Sequence, residues 1–186
     1  MDRQRLEDSI LHSTIFRQHH PNDNRSIYLV FKRLNTGGSL MTPQEIRCCM
    51  YCGKFISLLG DINEDPNWRA IFGPINRRQE DQELILRFLA FLHNSKYRKP
   101  MRDFLTFFLH SHQDLDQERA REFKDEFAQT LQIIRQSVGD RAYRLTGRLN
   151  AAIFDSVSVG IAKRLQTGPV CDLSQVKKAY LNLIPH

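Results

Sequence analysis

The sequence predicts a mainly α-helical protein, an irregular multi-helix bundle with one short N-terminal strand. Apolar residues recur three or four positions apart in eight stretches between residues 24 and 183. Helix-capping residues, glycines and prolines separate these stretches, and only one other stretch alternates in the manner of a strand. The length of 186 residues suits one domain. We divide the chain into an N-terminal helix and strand (1–21) and a helical domain (22–186).

The N-terminal part of the chain contains the predicted strand. Residues 3–7 look helical, and Ile10, Thr14 and Phe16 then alternate imperfectly. A single strand leaves its backbone N–H and C=O groups open to pairing with another strand. We therefore expect Ile10–Phe16 to pair with a sheet outside this chain, or with a second copy in a homodimer.

A helix and a glycine corner follow the strand. The spacing of Ile27 and Leu34 belongs to one apolar face and predicts a helix over 24–34. Gly37 and Gly38 adopt positive φ without steric cost, so they allow the chain to reverse sharply.

The next helix has a strong N-terminal signal. Thr42 is a good N-cap, Pro43 suits the first helical position, and Glu45 completes a capping box with Thr42. These residues predict a helix over 43–53. The remaining helices are predicted at 55–59, 79–94, 100–112, 116–138, 147–166 and 173–183. Gly, Pro and Asn residues predict loops at 60–67 and 71–74.

Composition narrows the class of protein. The 27 Lys and Arg residues outnumber the 21 Asp and Glu residues, which gives a net charge of +6 and permits binding to nucleic acid. No apolar run approaches the roughly 18 residues of a membrane span, and the charged N-terminus is unlike a signal peptide. We expect a cytoplasmic protein that does not contact membranes.

The four cysteines do not resemble a secreted disulfide framework. Cys48, Cys49 and Cys52 are clustered in a predicted helix, with no second CxxC or paired histidines at the spacing of a zinc site. Small apolar thiols are the simpler interpretation. We predict reduced cysteines, no metal and no cofactor.

The segment Phe31-Lys32-Arg33-Leu34-Asn35-Thr36-Gly37-Gly38, followed by Gln44-Glu45-Ile46-Arg47, resembles the signature of the GmrSD-type restriction-endonuclease family. The N-terminal region of that family has a ParB-like nuclease fold. Its signature residues correspond here to Arg33, Asn35, Thr36, Gly37, Gly38, Glu45 and Arg47. Other segments resemble stand-alone members in the same order: Tyr51–Phe55, Asn67–Arg69, Arg77–Arg78, Asp81–Phe88, Tyr97–Met101 and Gly147–Asp155.

Members of that family carry an upstream strand and an Asp-Gly-Gln-Gln-Arg motif, assigned to nucleotide hydrolysis or nuclease work. This sequence has no such motif. The resemblance therefore implies that the chain corresponds to the C-terminal helical portion of such a protein, as a piece of it or as one half of a split gene. It also implies a role in bacterial antiviral defence by restriction of foreign or modified DNA.

Basic residues around the helix predicted at 79–94 suggest contact with the DNA backbone. Between Arg77 and Arg102, seven basic residues face three acidic ones, for a net charge of +4. One basic pair precedes the helix start, where free N–H groups favour phosphate, and the others lie in an interhelical turn. The predicted contacts are Arg77, Arg78, Lys96, Arg98, Lys99 and Arg102.

Three further polar residues and one tryptophan have two interpretations each. Asp81 and Glu83 suit the positive end of a helix, and Glu83 is spaced to pair with Arg87. Paired carboxylates for metal-assisted cleavage are the alternative. Trp68 is expected to fill a helix junction, with stacking on a base as its alternative.

We expect a helical module that packs on a ParB-like catalytic half through Ile10–Phe16 and Asn35–Gly38, and that offers a basic surface to DNA. No catalytic residue is predicted in this chain, although the family it resembles comprises DNA endonucleases and nucleotide hydrolases. The alternative is a regulatory protein-interaction module without nucleic-acid contact.

Overall fold

A computed structural model of the chain describes residues 40–94, 96–144 and 147–183, together with Ser13, Ile15 and Val30. The predicted helix at 24–34 and the Gly37–Gly38 corner lie outside the described residues, Val30 excepted. The predicted strand Ile10–Phe16 lies outside them too, apart from Ser13 and Ile15.

Helices account for all the regular secondary structure in the described ranges, as the sequence predicts for a helical bundle. They are α1 (Pro43–Met50), α2 (Lys54–Asn63), α3 (Pro66–Phe72), α4 (Glu80–His93), α5 (Met101–Ser111), α6 (Gln117–Ser137), α7 (Ala151–Gln166) and α8 (Leu173–Leu183).

Helix α4 lies at the centre of the bundle. It packs against α1, α2, α5, α6 and α7, and seven of its 14 residues are buried. Helix α6 contributes a second apolar stripe at helical spacing, formed by Phe123, Phe127, Leu131 and Ile134. The hydrophobic core therefore forms around α4 and α6, and the other helices surround them.

Trp68 fills the junction of α3, α6 and α7, as predicted from its size. It is fully buried, and its ring lies 5.6 Å from that of Phe127 and 5.5 Å from that of Phe154. The indole N–H donates to Asn63 Oδ1 at 3.0 Å. Because no face of the ring is open, the alternative interpretation, stacking on a base, is wrong.

The loop prediction for residues 60–67 was wrong, because helices occupy most of that range. Helix α2 continues past Gly60 to Asn63 since Ile62 extends its buried face. Asp65 then caps α3 by accepting from Asn67 N at 2.8 Å and Trp68 N at 2.9 Å. The Asp-Pro pair is thus a helix start, with proline at the first helical position. Gly73, at φ 107°, ends the helix.

Other helix ends differ from the sequence prediction by a few residues. Helix α1 ends at Met50, and α7 begins at Ala151, where Asn150 caps Ala152 N and Ile153 N. The predicted capping box of α1 is confirmed. Glu45 N donates to Thr42 Oγ1 at 3.1 Å, and Thr42 N donates to the Glu45 carboxylate at 2.5 Å.

Within the ranges described, the helices are all too short or too polar to cross a bilayer.

Candidate nucleic-acid interface

The connection between α4 and α5 forms a basic turn, which we define as Lys96, Tyr97, Arg98, Lys99 and Arg102. All five residues are exposed. Tyr97 anchors the turn, because its ring lies 5.4 Å from that of Phe91 and 5.0 Å from that of Phe104. The four cationic side chains therefore project from a turn that is fixed on the core.

The carboxylates near the basic turn neutralise little of its charge. Arg102 Nε donates to Asp103 Oδ1 at 2.8 Å, and both side chains are about two-fifths exposed. Because the pair is exposed to water, Asp103 competes only weakly with other anions for Arg102. No ion pair involving Lys96, Arg98 or Lys99 is present in the described ranges.

An exposed aromatic residue lies on the outer face of α5. Phe107 is 65% exposed, whereas Phe104 and Phe108 are buried. Helical spacing places Phe107 about 140° around the helix from Arg102, so its exposed ring is not part of the basic turn. The ring is therefore a separate apolar feature of the outer surface.

The other predicted contacts, Arg77 and Arg78, do not join the basic turn. They precede α4 and the basic turn follows it, so the 14 residues of that helix separate them by about 20 Å at 1.5 Å per residue. Arg77 is exposed. Arg78 instead donates to Leu40 O and lies 3.3 Å from Glu45. The six predicted contacts therefore divide into two groups, one at each end of α4.

Arg78 faces a cleft that the sequence prediction missed. This arginine cleft has a volume of about 680 Å³. Four arginines line it, and they come from the segment before α4, from α4 itself and from the segment before α7. They are Arg78, Arg87, Arg144 and Arg148.

Ion pairs between distant residues fix one side of the arginine cleft. Arg47, 1% exposed, contacts Glu83 at 2.5 Å and donates to Gln44 Oε1 at 2.9 Å. Arg87 donates from Nε to Asp155 Oδ1 at 3.1 Å and from Nη2 to Asp155 Oδ2. The prediction that Glu83 pairs with Arg87 is therefore wrong, because each has a better partner on another helix.

Arg144 and Arg148 form the other side of the cleft. Arg144 donates to three carbonyl oxygens: Ile71 O at 3.2 Å, Phe72 O at 2.6 Å and Gly147 O at 3.1 Å. These contacts hold the guanidinium without neutralising its charge. Arg148 is exposed and has no hydrogen bond or ion pair to the described residues. The i, i+4 spacing of the two arginines gives no signal for this side, because the described residues of that segment are not helical.

Two of the family-signature residues lie within the described ranges, and both support the structure. Glu45 belongs to the capping box and to the contact with Arg78, and Arg47 joins α1 to α4 through Glu83. Arg33, Asn35, Thr36, Gly37 and Gly38 lie outside the described residues.

Asp81 is a structural carboxylate rather than a metal-binding one. It is fully buried and accepts from Asn63 Nδ2 at 3.0 Å, Arg69 Nη1 at 3.1 Å, Asn76 N at 3.0 Å and Gln82 N at 3.0 Å. Three of these bonds go to Oδ2 and one to Oδ1, and together they join α2, α3 and α4. Asp81 therefore has a structural role in the bundle.

The cysteines pack against neighbouring residues or lie on the surface. Burial raises the pKa of the Cys48 thiol to about 11, so Cys48 is a poor nucleophile at neutral pH. Cys52 Sγ donates to Cys48 O at 3.1 Å, at the end of α1. Within the described ranges, no three metal-binding side chains lie close enough together to hold an ion.

Comparisons of the chain with protein-family models, with curated proteins and with solved structures give no match.

Proposed function

We propose that this chain is the helical module of a GmrSD-like bacterial restriction protein, that it packs on a ParB-like catalytic half, and that it contacts the DNA backbone through its basic turn. The exposed basic turn is the observation that carries the DNA contact. Three of its four cations face no carboxylate in the described ranges, and phosphate oxygens would supply the missing counter-charge.

The geometry of the turn suits a backbone contact rather than base readout. Lys96, Arg98 and Lys99 are consecutive or nearly so, and they project from a short connection rather than from a helix that fills a groove. Such contacts place a protein on DNA without reading sequence. Specificity for modified DNA would then reside in the catalytic half.

The resemblance to the family signature supports the proposed partner. Glu45 holds α1 against the segment before α4, and Arg47 holds it against α4 itself. The start of α1 is therefore fixed on the bundle next to Leu40. We propose that Ile10–Phe16 and Asn35–Gly38 provide the contact with the ParB-like half, on the sequence arguments given above.

A protein-interaction module without DNA contact is the second candidate. The observation that favours it is Phe107, whose exposed ring would also suit an apolar partner surface. The salt dependence of DNA binding distinguishes the two candidates.

The test is the affinity of the chain for duplex DNA as a function of salt concentration. Each phosphate contact that is lost reduces the log–log slope by about 0.9. Replacing Arg98, Lys99 and Arg102 together by Ala should therefore flatten the slope by about 2 to 3. The matched control replaces Lys163, Lys177 and Lys178, which are exposed on α7 and α8, and should leave the slope near that of the parent.

Unchanged circular dichroism would show that the triple variant retains its fold. Absence of binding at low salt, or an equal effect of both triple variants, would favour the interaction module instead.

A further inference from the structure

We propose that the arginine cleft binds the phosphate group of a small ligand, at a site separate from the basic turn. The proposal goes beyond DNA contact, and it rests on guanidinium groups that converge on one cavity with N–H donors to spare. A guanidinium offers five N–H donors in a planar fork that matches two phosphate oxygens.

A count of hydrogen-bond donors shows the unused capacity. Arg87 uses two donors on Asp155, and Arg144 uses three on carbonyl oxygens. Arg148 uses none on the described residues. From five donors each, about three, two and five N–H groups remain for a ligand.

Two of these guanidiniums are held in place before any ligand binds. Asp155 fixes Arg87 through two hydrogen bonds, and the backbone around Phe72 fixes Arg144. Such fixing reduces the conformational entropy that binding would cost. Arg148 is an exposed side chain that would complete the set of donors around the ligand.

The charge balance of the cleft favours an anion. Glu83 is paired with Arg47, and Glu80, at the start of α4, accepts from the Asn76 amide at 3.2 Å. Arg144 and Arg148 have no carboxylate partner in the described ranges, so their two charges exceed the single charge of Glu80. Several arginines around one cavity suit the tetrahedral oxygens of phosphate better than a planar carboxylate.

The size of the cleft limits the ligand. Its volume of about 680 Å³ lies within the range of roughly 300 to 1,000 Å³ that is usual for small-molecule sites. Phe72, Leu84 and Leu149 add apolar wall next to the arginines. The cleft can therefore hold a phosphate together with a small organic group.

The test is titration of the full chain with inorganic phosphate, with a nucleoside 5′-monophosphate and with the same nucleoside without phosphate, at constant ionic strength. Both phosphates should bind, and the bare nucleoside should not. Tighter binding of the nucleotide would identify an organic phosphate as the ligand, and equal binding would identify the free anion. Binding of neither phosphate, or equal binding of the bare nucleoside, would overturn the proposal.

Arg148→Gln is the decisive variant, because that side chain makes no hydrogen bond or ion pair with the described residues whose loss would disturb the fold. It should weaken phosphate binding by about tenfold or more, the effect of charge-assisted hydrogen bonds. The phosphate affinity of Arg148→Lys should lie between that of the parent and that of Arg148→Gln. Lysine keeps the positive charge but lacks the planar fork of N–H donors. Arg141→Gln is the matched control, because it removes an exposed arginine of the same segment outside the cleft lining. Parent-like affinity of Arg148→Gln would refute the site.

This test is independent of the proposed DNA contact. The cleft lining on α4 ends at Arg87, and the residues changed in the triple variant lie beyond the end of that helix. The Arg98, Lys99 and Arg102 triple variant should therefore bind phosphate like the parent. Loss of phosphate binding in that variant would show that the anion binds the basic turn, and would refute the cleft as its site.

Discussion

Arg87 and Asp155 show how a single pair of side chains joins two helices of the core. The guanidinium on α4 and the carboxylate on α7 share two hydrogen bonds, and their side chains are only 17% and 15% exposed. Burial raises the pKa of Asp155, while the hydrogen bonds and the charge of Arg87 lower it. Arg87 is therefore what keeps a largely buried carboxylate charged.

Removal of Arg87 should destabilise the protein in a pH-dependent way. We expect Arg87→Ala to lower the free energy of unfolding by about 2–4 kcal/mol at pH 8, because a buried charge loses its partner. Without Arg87, the folded-state pKa of Asp155 rises further above its unfolded value. The loss should therefore be smaller at pH 5 than at pH 8, because the raised pKa favours the protonated form of Asp155 more at the lower pH. Urea unfolding at both pH values measures the difference.

Asp155→Asn provides the control for that experiment. Combined with Arg87→Ala, it should remove the additional pH dependence that Arg87→Ala introduces, since no carboxylate remains at position 155. Any additional dependence that persists in the double variant would show that another group titrates.

Contacts of this kind could not be predicted from the sequence. The partner of Arg87 lies 68 positions away and that of Arg47 lies 36 positions away, whereas sequence spacing suggests only partners within one helical turn. Glu83 and Arg87 satisfy the i, i+4 rule, but tertiary packing gives each a partner on another helix. The arginine cleft was missed for the same reason.

At the scale of elements, short-range signals decided what the sequence could predict. The start of α1 was predicted because Thr42, Pro43 and Glu45 lie within four residues. Helix α3 was missed because an Asp-Pro pair such as Asp65-Pro66 is common both in turns and at helix starts. The seven residues of the helix are too few to show a helical period that would distinguish the two. Its stability comes from the burial of Trp68, a tertiary effect.

The Asp65 cap should contribute more to the stability of the protein than the exposure of its side chain suggests. Asp65→Ala removes the acceptor for two backbone N–H groups of α3 and should cost about 1 kcal/mol. In a chain of this length that corresponds to a fall of roughly 2–4 °C in the melting temperature. Glu64→Ala is the matched control, because Glu64 is the exposed neighbouring acid. Equal melting temperatures for the two variants would show that the cap contributes nothing.

At the scale of the whole molecule, α4 is the centre of the core and also connects two cationic regions. Its buried residues hold the bundle, while the arginine cleft lies along its first half, from Glu80 to Arg87, and the basic turn follows its last residue. The proposed anion site and the proposed DNA contact therefore use different residues.

Stability should be unevenly distributed over the same molecule, with α8 at the weak end. No residue of α8 is buried, and its firmest polar contact is the hydroxyl of Tyr180, which donates to Ala142 O at 2.5 Å. Helices with little buried apolar surface open without unfolding the rest of a protein. We therefore expect the amides of 173–183 to exchange with deuterium roughly a hundredfold or more faster than those of 84–90, in the buried part of α4.

Trp68, the only tryptophan, reports on the core by fluorescence and should remain buried while α8 exchanges. Tyr180→Phe should accelerate exchange in α8 alone, and protection of α8 equal to that of α4 would show that its outer face is covered.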